Sequence, residues 1–245
     1  MSMMRFTRRL AVTGLAAFAL AACGQAGGED NGGSAGTGDD SGSIAGAALG
    51  EMVKGSADAP IEVIEYASWT CPACLDFDQR VMPTIQSEYI DTGKVRFVFR
   101  EYPTAPVSIS VAGFALARCA GEDKYFDVLD ELFDRQPGIL AIARDGDQVR
   151  VALETIAGNH GIAKGAEFEA CLNSQDIRRA IGDRIDLGEQ KGVNSTPTIF
   201  VNGERLEGFE WRNPEGMAAI LDEALGVGPE AADEPLEEPV TESAE

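Results

Sequence analysis

The sequence predicts an α/β fold in which a block of helices interrupts the strand-forming segments. Apolar and polar residues alternate over residues 60–66 and again over 95–99, which predicts two strands. From residue 107 to 191 the apolar residues recur at helical spacing only. A hairpin signal at Asn202-Gly203 and a helix start at Asn213-Pro214 follow. The predicted order of elements is therefore βαβ, helices, ββα.

Glycine and proline divide the helical block into separate helices. Gly121, Pro137-Gly138 and Gly161 are the predicted breakers. Ahead of the block, a helix is predicted over residues 75–89, and Pro83 should kink it because proline has no N–H to donate. The remaining predictions are helices over 107–119, 125–135, 148–158, 166–172 and 176–190, and hairpin strands over 199–202 and 204–206.

A pair of cysteines lies between the first strand and the helix that follows it. In Cys71-Pro72-Ala73-Cys74, the first cysteine falls at the helix start, where unpaired N–H groups and the helix dipole stabilise a thiolate. Pro72 suits the first helical position, since its missing N–H would have no partner there. We therefore predict Cys71 as the reactive sulfur and Cys74 as its resolving partner.

Two cysteines at this spacing can also form half of a zinc site. The other half would have to come from Cys119 and Cys171, which stand alone in the sequence. A second element favours redox chemistry instead. Within residues 195–204, Pro197 opens a β-rich run that reaches the hairpin signal Asn202-Gly203.

These motifs resemble those of a known family. The segments Trp69-Thr70-Cys71-Pro72-Ala73-Cys74, Thr196-Pro197-Thr198 and Val201-Asn202-Gly203 are similar to the active site, cis-proline loop and closing hairpin of the thioredoxin superfamily, most closely its DsbA branch. The resemblance covers about residues 55–226. It implies a thioredoxin fold, residues 51–106 and 192–226, with an inserted α-helical domain at 107–191.

The resemblance also assigns supporting roles. It implies a cis bond before Pro197, which would place Thr196 beside Cys71, and a role for Glu65 in proton transfer to the resolving cysteine. The alternative for Glu65 is a solvent-facing strand residue. Lys94 is a candidate partner for Glu65.

Three further residues bear on the site. Trp69 either borders a client groove or belongs to the core edge. Ala73 stands where the best-known DsbA has histidine, so we expect a less oxidising pair than in that protein. His160, the single histidine, is expected to be a surface or capping residue.

The two ends of the chain have their own signals. Residues 1–23 carry arginines and then a short apolar run that ends at Cys23, so they resemble a lipoprotein signal peptide with Cys23 as the lipidated residue. The alternative is an ordinary signal peptide. Residues 24–50 read as a flexible linker and 227–245 as an acidic disordered tail. Gly24 is not the aspartate that retains many lipoproteins at the inner membrane, which favours the outer membrane.

Charge and cysteine content narrow the class of protein. The net charge of −21 argues against nucleic acid as a partner, because phosphates require a basic surface. An exported, oxidising location favours a structural disulfide between Cys119 and Cys171, with two buried free thiols as the alternative. Some DsbA-like proteins carry such a second disulfide in the helical domain.

The resemblance implies a thiol:disulfide oxidoreductase of the cell envelope that oxidises exported client proteins. It would need no cofactor beyond the Cys71–Cys74 disulfide and no metal, and a quinone-linked membrane partner would recycle it. A reductase or isomerase of the same fold is the nearest alternative. An alternative of another class is a lipid-anchored chaperone that binds copper through the two cysteines, although the chain has few methionines and one histidine to assist.

Overall fold

A five-stranded mixed sheet lies at the centre of the computed structural model, which describes residue 44 and residues 46–227. The strand order is β1-β3-β2-β4-β5. Strands β2 and β3 are parallel, and the other neighbours are antiparallel. The strands are β1 (Met52–Lys54), β2 (Ile61–Ala67), β3 (Val95–Glu101), β4 (Thr198–Val201) and β5 (Glu204–Arg205).

Helices follow β2, fill the segment between β3 and β4, and close the described chain. Their order confirms the predicted thioredoxin fold with helices inserted between its two halves. They are α1 (Pro72–Arg80), α2 (Met82–Thr84) with a π-helical turn (Ile85–Ile90), α3 (Val107–Cys119), α4 (Glu122–Ala141), α5 (Gly146–Asn159), α6 (Ala166–Asn173), α7 (Gln175–Gln190) and α8 (Pro214–Leu225), with a 3-10 turn (Glu210–Arg212) before α8.

The prediction of a helix break at Pro137-Gly138 is wrong. Helix α4 continues through Pro137 to Ala141. Leu132, Phe133 and Ile139 are buried on both sides of the proline. Their packing holds the helix together even though Pro137 donates no backbone hydrogen bond.

The predicted interruption at Pro83 is confirmed. Helix α1 ends at Arg80, and the chain passes through Val81 into α2 and the π-helical turn. Pro83 has no N–H to donate to the carbonyl four residues earlier, and here, unlike at Pro137 in α4, the loss coincides with a break in the helix. At the other end of the described chain, the predicted cap of the last helix is also confirmed, because the Asn213 side chain accepts a hydrogen bond from the Gly216 N–H at 2.8 Å.

The N-terminal edge of the sheet was not predicted. Strand β1 pairs with β3, and Met52 lies opposite Phe99. The linker predicted over 24–50 extends too far, because Ala48 is 1% exposed and its N–H donates to Arg118 O at 2.8 Å. The residues that cover this segment lie far away in the sequence, so its own composition does not reveal the contact.

The predicted signal peptide, Cys23 and the tail from residue 228 lie outside the described residues.

Both faces of the sheet are covered. On one face, a small hydrophobic cluster contains Ile64, Tyr66, Val98, Val193 and Phe200. On the other face, Ile61, Val63 and Ala67 of β2 contact the larger hydrophobic core, which is called the main core below. No helix in the described part of the chain is long and apolar enough to cross a membrane.

Trp69 lies in the core and does not border a client groove. It is 0% exposed, and its Nε1 donates to Ser110 O at 2.8 Å. Gly113 of α3 lies directly against the Trp69 indole, where a Cβ atom would overlap the ring.

We expect Gly113→Ala to destabilise the protein by about 1–3 kcal/mol, because the added methyl group overpacks a site that has no free space. Equilibrium denaturation in urea measures the change. Gly182→Ala in α7 is the matched control, since its Cβ would meet nothing within 4 Å and alanine favours a helix. Equal stability of Gly113→Ala and the parent would contradict the packing described here.

Candidate functional site

The end of β2 and the start of α1 position the two cysteines. Cys71 is the N-cap of α1, with extended backbone, and Pro72 is the first helical residue. Both cysteines are free thiols; Cys71 is half-buried and Cys74 is buried. The Ser68 N–H donates to the Cys74 Sγ at 3.5 Å.

The environment of Cys71 stabilises its thiolate. Its pKa is lowered to about 5, chiefly by a hydrogen bond with the Cys74 thiol. The side chain of Thr196 and the backbone N–H groups of Ala73 and Cys74 lower it further, against the opposing effect of partial burial. This is the effect expected of a cysteine at a helix N-terminus.

Cys74 has the opposite character. Burial raises the pKa of its thiol well above the usual value, and the hydrogen bond with Cys71 and the nearby Glu65 raise it further. At neutral pH the pair therefore holds one thiolate, on the more accessible sulfur, and one neutral thiol. This asymmetry fits the roles predicted for Cys71 and Cys74.

We expect the Cys71 thiolate of the reduced protein to titrate with a midpoint near pH 5, measured as absorbance at 240 nm. A lowered folded pKa stabilises the fold above the unfolded pKa of about 8.5, and that stabilisation is lost as the pH falls through 5. The contribution of Cys71 to the stability of the reduced protein should therefore grow between about pH 5 and 8.5, against the opposite contributions of Glu65 and Asp78, whose pKa values are raised. A midpoint near 8.5 would contradict the thiolate environment described above.

The loop before β4 lies against the reactive sulfur. The Thr196–Pro197 peptide bond is cis, as the family resemblance implied. The Cys71 Sγ lies 3.4 Å from the carbonyl oxygen of Thr196. The dithiol and the proline loop, 125 residues apart in sequence, therefore form one site.

Glu65 is buried beneath the dithiol. It is 4% exposed and lies on the face of β2 that contacts the main core, so the solvent-facing alternative is wrong. Burial raises the pKa of its carboxyl well above the usual value, and Asp78 and Cys71 raise it further. Glu65 is therefore suited to hold a proton near Cys74.

Lys94 is not the partner of Glu65. Its carbonyl accepts from the Ile61 N–H at the opposite end of β2, and its ammonium lies 5.2 Å from the centre of the Tyr89 ring. Lys54 on β1 instead lines a small cavity of about 10 Å³ together with Glu65 and Asp78.

Asp78 is a second carboxyl at this cavity and was not among the predicted site residues. Burial raises its pKa to about 7, an effect to which Asp130 adds and which Lys54 opposes. Asp78 lies on α1 four residues after Cys74, about one helical turn, and lines the same cavity as Glu65. That spacing is the signal that could have identified it.

A set of hydroxyl groups holds the loop between β2 and Cys71. The Ser68 hydroxyl lies 2.9 Å from both the Thr70 and Ser110 hydroxyls, and it accepts from the Thr104 N–H at 3.2 Å. Ser110 belongs to α3, so the inserted helices support the active-site loop directly. No local motif in the sequence predicts these contacts.

Cys119, Cys171 and His160 lie outside this site. Cys119 and Cys171 form a disulfide that joins α3 to α6, which confirms the predicted pairing and removes both residues from the zinc alternative. Within residues 46–227 no group of three or more histidine, cysteine or acidic side chains is placed to hold a metal ion. His160 caps the end of α5, as expected, and its Nε2 lies 2.8 Å from Glu131.

Comparison with known proteins agrees with this geometry. A family model described as thioredoxin matches residues 47–223. A Rickettsia typhi protein whose name calls it a protein-disulfide oxidoreductase is 30% identical over 176 residues, which cover 71% of this chain and 62% of that protein. Disulfide bond formation protein D of Bacillus subtilis is 29% identical over 170 residues, which cover 65% of this chain and 71% of that protein. The chain thus spans less than two thirds of the Rickettsia relative.

Two solved structures share the architecture. Wolbachia pipientis alpha-DsbA1 is 25% identical, with a TM-score of 0.62 over 72% of this chain and 91% of that chain. Oxidised BdbD of Bacillus subtilis is 23% identical, with a TM-score of 0.59 over 72% of this chain and 93% of that chain. With its C-x-x-C pair, its cis-proline loop and its inserted helices, the chain belongs to the thioredoxin family, and its relatives are DsbA-like.

Proposed function

We propose that this protein is a thiol:disulfide oxidoreductase of the bacterial cell envelope that oxidises exported proteins through Cys71 and Cys74. The observation that carries the proposal is the asymmetry of the pair: a half-buried Cys71 with a pKa of about 5 next to a buried Cys74 whose pKa is raised. A stabilised Cys71 thiolate favours the reduced form of the pair, which makes the disulfide form an oxidant. The names of the relatives support the same activity.

The reaction transfers two electrons from the client to the pair. A client thiolate attacks the Cys71 sulfur, the Cys71–Cys74 bond breaks, and Cys74 leaves and takes up a proton. Glu65, whose raised pKa keeps it protonated near Cys74, is the proposed donor of that proton. A second client thiolate then attacks the client sulfur of the mixed disulfide and releases Cys71 as a thiolate, which completes the client disulfide.

The client would bind across the proline loop. The backbone next to Pro197 can pair with an extended client as an added strand. A cavity of about 50 Å³ opens beside it, between Ala73 and Phe77 on one side and Trp211 and Arg212 on the other. These surfaces would hold the client cysteine against Cys71 without recognising a particular sequence.

Two further parts of the proposal rest on the sequence. A lipid on Cys23 would anchor the protein at the periplasmic face of a membrane, most simply the outer one, and a quinone-linked membrane partner would accept electrons from the reduced pair. Fractionation of cells that express the full chain tests the anchor. Recovery of the chain only in the soluble fraction would contradict it.

The reverse direction, as a reductase or isomerase, is the second candidate, because Ala73 supplies no charged or donor side chain to the Cys71 thiolate. Equilibration of the purified protein with glutathione buffers distinguishes the two directions. A reduction potential of about −120 to −180 mV supports the oxidase, whereas a value near about −270 mV would overturn it. Stoichiometric copper on the purified, reduced protein would instead support a metal-binding role.

A further inference from the structure

One buried amide from the inserted helices contacts the backbone of the dithiol loop. Gln136 of α4 is 2% exposed. Its Nε2 donates to Trp69 O at 2.6 Å and to Cys71 O at 3.0 Å. A glutamine amide nitrogen carries two hydrogens, so each of the two carbonyls has a donor of its own.

One of these two bonds is made to Cys71, the residue that carries the reactive sulfur, and the other to Trp69, two residues before it. Cys71 is the N-cap of α1, and its carbonyl already accepts from the Cys74 and Leu75 N–H groups, each at 3.1 Å. The Gln136 amide is a third donor to the Cys71 carbonyl, and it links this carbonyl to that of Trp69 through a shared nitrogen. The orientation of Cys71 relative to the helix end is therefore set from outside α1.

We propose that Gln136 is a positioning residue that fixes the backbone of Cys71, so that the inserted helical domain takes part in setting the reactivity of the dithiol. The proposal deepens the function proposed above and rests on it. Gln136 contacts no reacting atom, and it acts through the direction in which the Cys71 side chain leaves the backbone.

The chemistry that depends on this direction is the thiolate of Cys71. The Cys74 thiol, the Thr196 side chain and the N–H groups at the helix start all stabilise that thiolate over short distances. Hydrogen bonds weaken steeply when their angles or lengths depart from the optimum. A small rotation of the Cys71 backbone would therefore remove part of this stabilisation while leaving the fold intact.

The test replaces Gln136 with methionine, which keeps the length of the side chain and removes both donors. Gln136→Asn is a second variant, which retains the amide on a shorter side chain. The matched control is Tyr125→Phe on the same helix, which removes a buried hydrogen bond to Glu101 of 2.9 Å and does not contact the loop. Circular dichroism melts report stability, and absorbance at 240 nm reports the Cys71 thiolate.

We expect Gln136→Met to raise the pKa of Cys71 by about one unit, which lowers the acid dissociation constant of its thiol tenfold. The redox equilibrium with glutathione should shift about tenfold toward the oxidised form of the pair, about 30 mV more negative. Tyr125→Phe should lower the melting temperature without moving either the titration or the equilibrium. Gln136→Asn should fall between Gln136→Met and the parent.

Two results would overturn the proposal. One is a folded Gln136→Met protein with the parental titration and redox equilibrium. The other is an equal shift in Tyr125→Phe, which would show that general loosening of α4 is responsible. A parent protein that does not exchange disulfides would contradict the proposed function, whereas the thiolate titration would still decide the role of Gln136.

Discussion

Replacing Cys71 with serine is expected to abolish disulfide exchange, so that a reduced dithiol peptide is oxidised no faster than in buffer alone. The reaction needs a sulfur that both forms a disulfide and leaves as a thiolate, and serine can do neither. Cys71 is also the more accessible sulfur, with the lower pKa of the pair. Peptide oxidation followed by mass spectrometry measures the loss.

Cys74→Ser should behave differently, because Cys71 keeps its ability to attack a client disulfide but loses its resolving partner. We expect a mixed disulfide with the client to accumulate and to appear as a shifted band on a non-reducing gel. If Cys71→Ser accumulated the adduct instead, the assigned roles would be reversed.

The matched control for both replacements is the double variant Cys119→Ala/Cys171→Ala. It removes the disulfide between α3 and α6, whose residues are 52 positions apart, and should destabilise the protein by about 3–4 kcal/mol in the chain-entropy model. Peptide oxidation should continue in this variant below its unfolding transition. Its loss would mean that the second disulfide takes part in the exchange.

The parts of the site that could be predicted from the sequence are those that local pattern determines. Cys71 and Cys74 follow a strand and open a helix, and the Asn-Gly signal identifies the hairpin after Pro197. The family resemblance added the cis bond, which no local rule requires. These elements need no information about what packs against them.

The parts that were missed or left open depend on distant contacts. Glu65 lies on β2, a strand that is covered on both faces. The alternation of apolar and polar residues along β2 therefore could not show whether the Glu65 side chain faces the core or the solvent. Lys54 reaches the same cavity from β1, a three-residue strand whose partner is more than forty residues away in sequence. Gln136 sits in a helix interior next to a proline that would ordinarily end the helix.

The largest effect on stability is expected at a buried ion pair between the inserted helices and the sheet. Arg118 and Glu101 both have fully buried side chains, and they are joined by two hydrogen bonds of 2.6 and 2.8 Å. The Arg118 guanidinium also donates to Ala48 O at 2.7 Å and to Gly50 O at 3.2 Å. One side chain thus holds the N-terminal segment, the end of β3 and α3 together.

We expect Arg118→Met to destabilise the protein by about 3–5 kcal/mol, because it leaves the Glu101 carboxylate buried without its cation. Urea denaturation measures the change. Arg80→Met is the control: it breaks an exposed ion pair with Asp76, whose side chains are 59% and 53% exposed, and should cost less than about 1 kcal/mol.

The double variant Arg118→Met/Glu101→Leu separates the loss of the pair from the penalty of an unpaired charge. Replacing both partners of a buried ion pair with apolar residues is often close to neutral, so the double variant should recover much of the stability that Arg118→Met loses. Recovery should stay incomplete, because the Tyr125 hydroxyl donates to Glu101 at 2.9 Å and the backbone carbonyls of Ala48 and Gly50 lose their donor. A double variant no more stable than Arg118→Met would show that these backbone contacts, rather than the charge pair, account for the stabilisation.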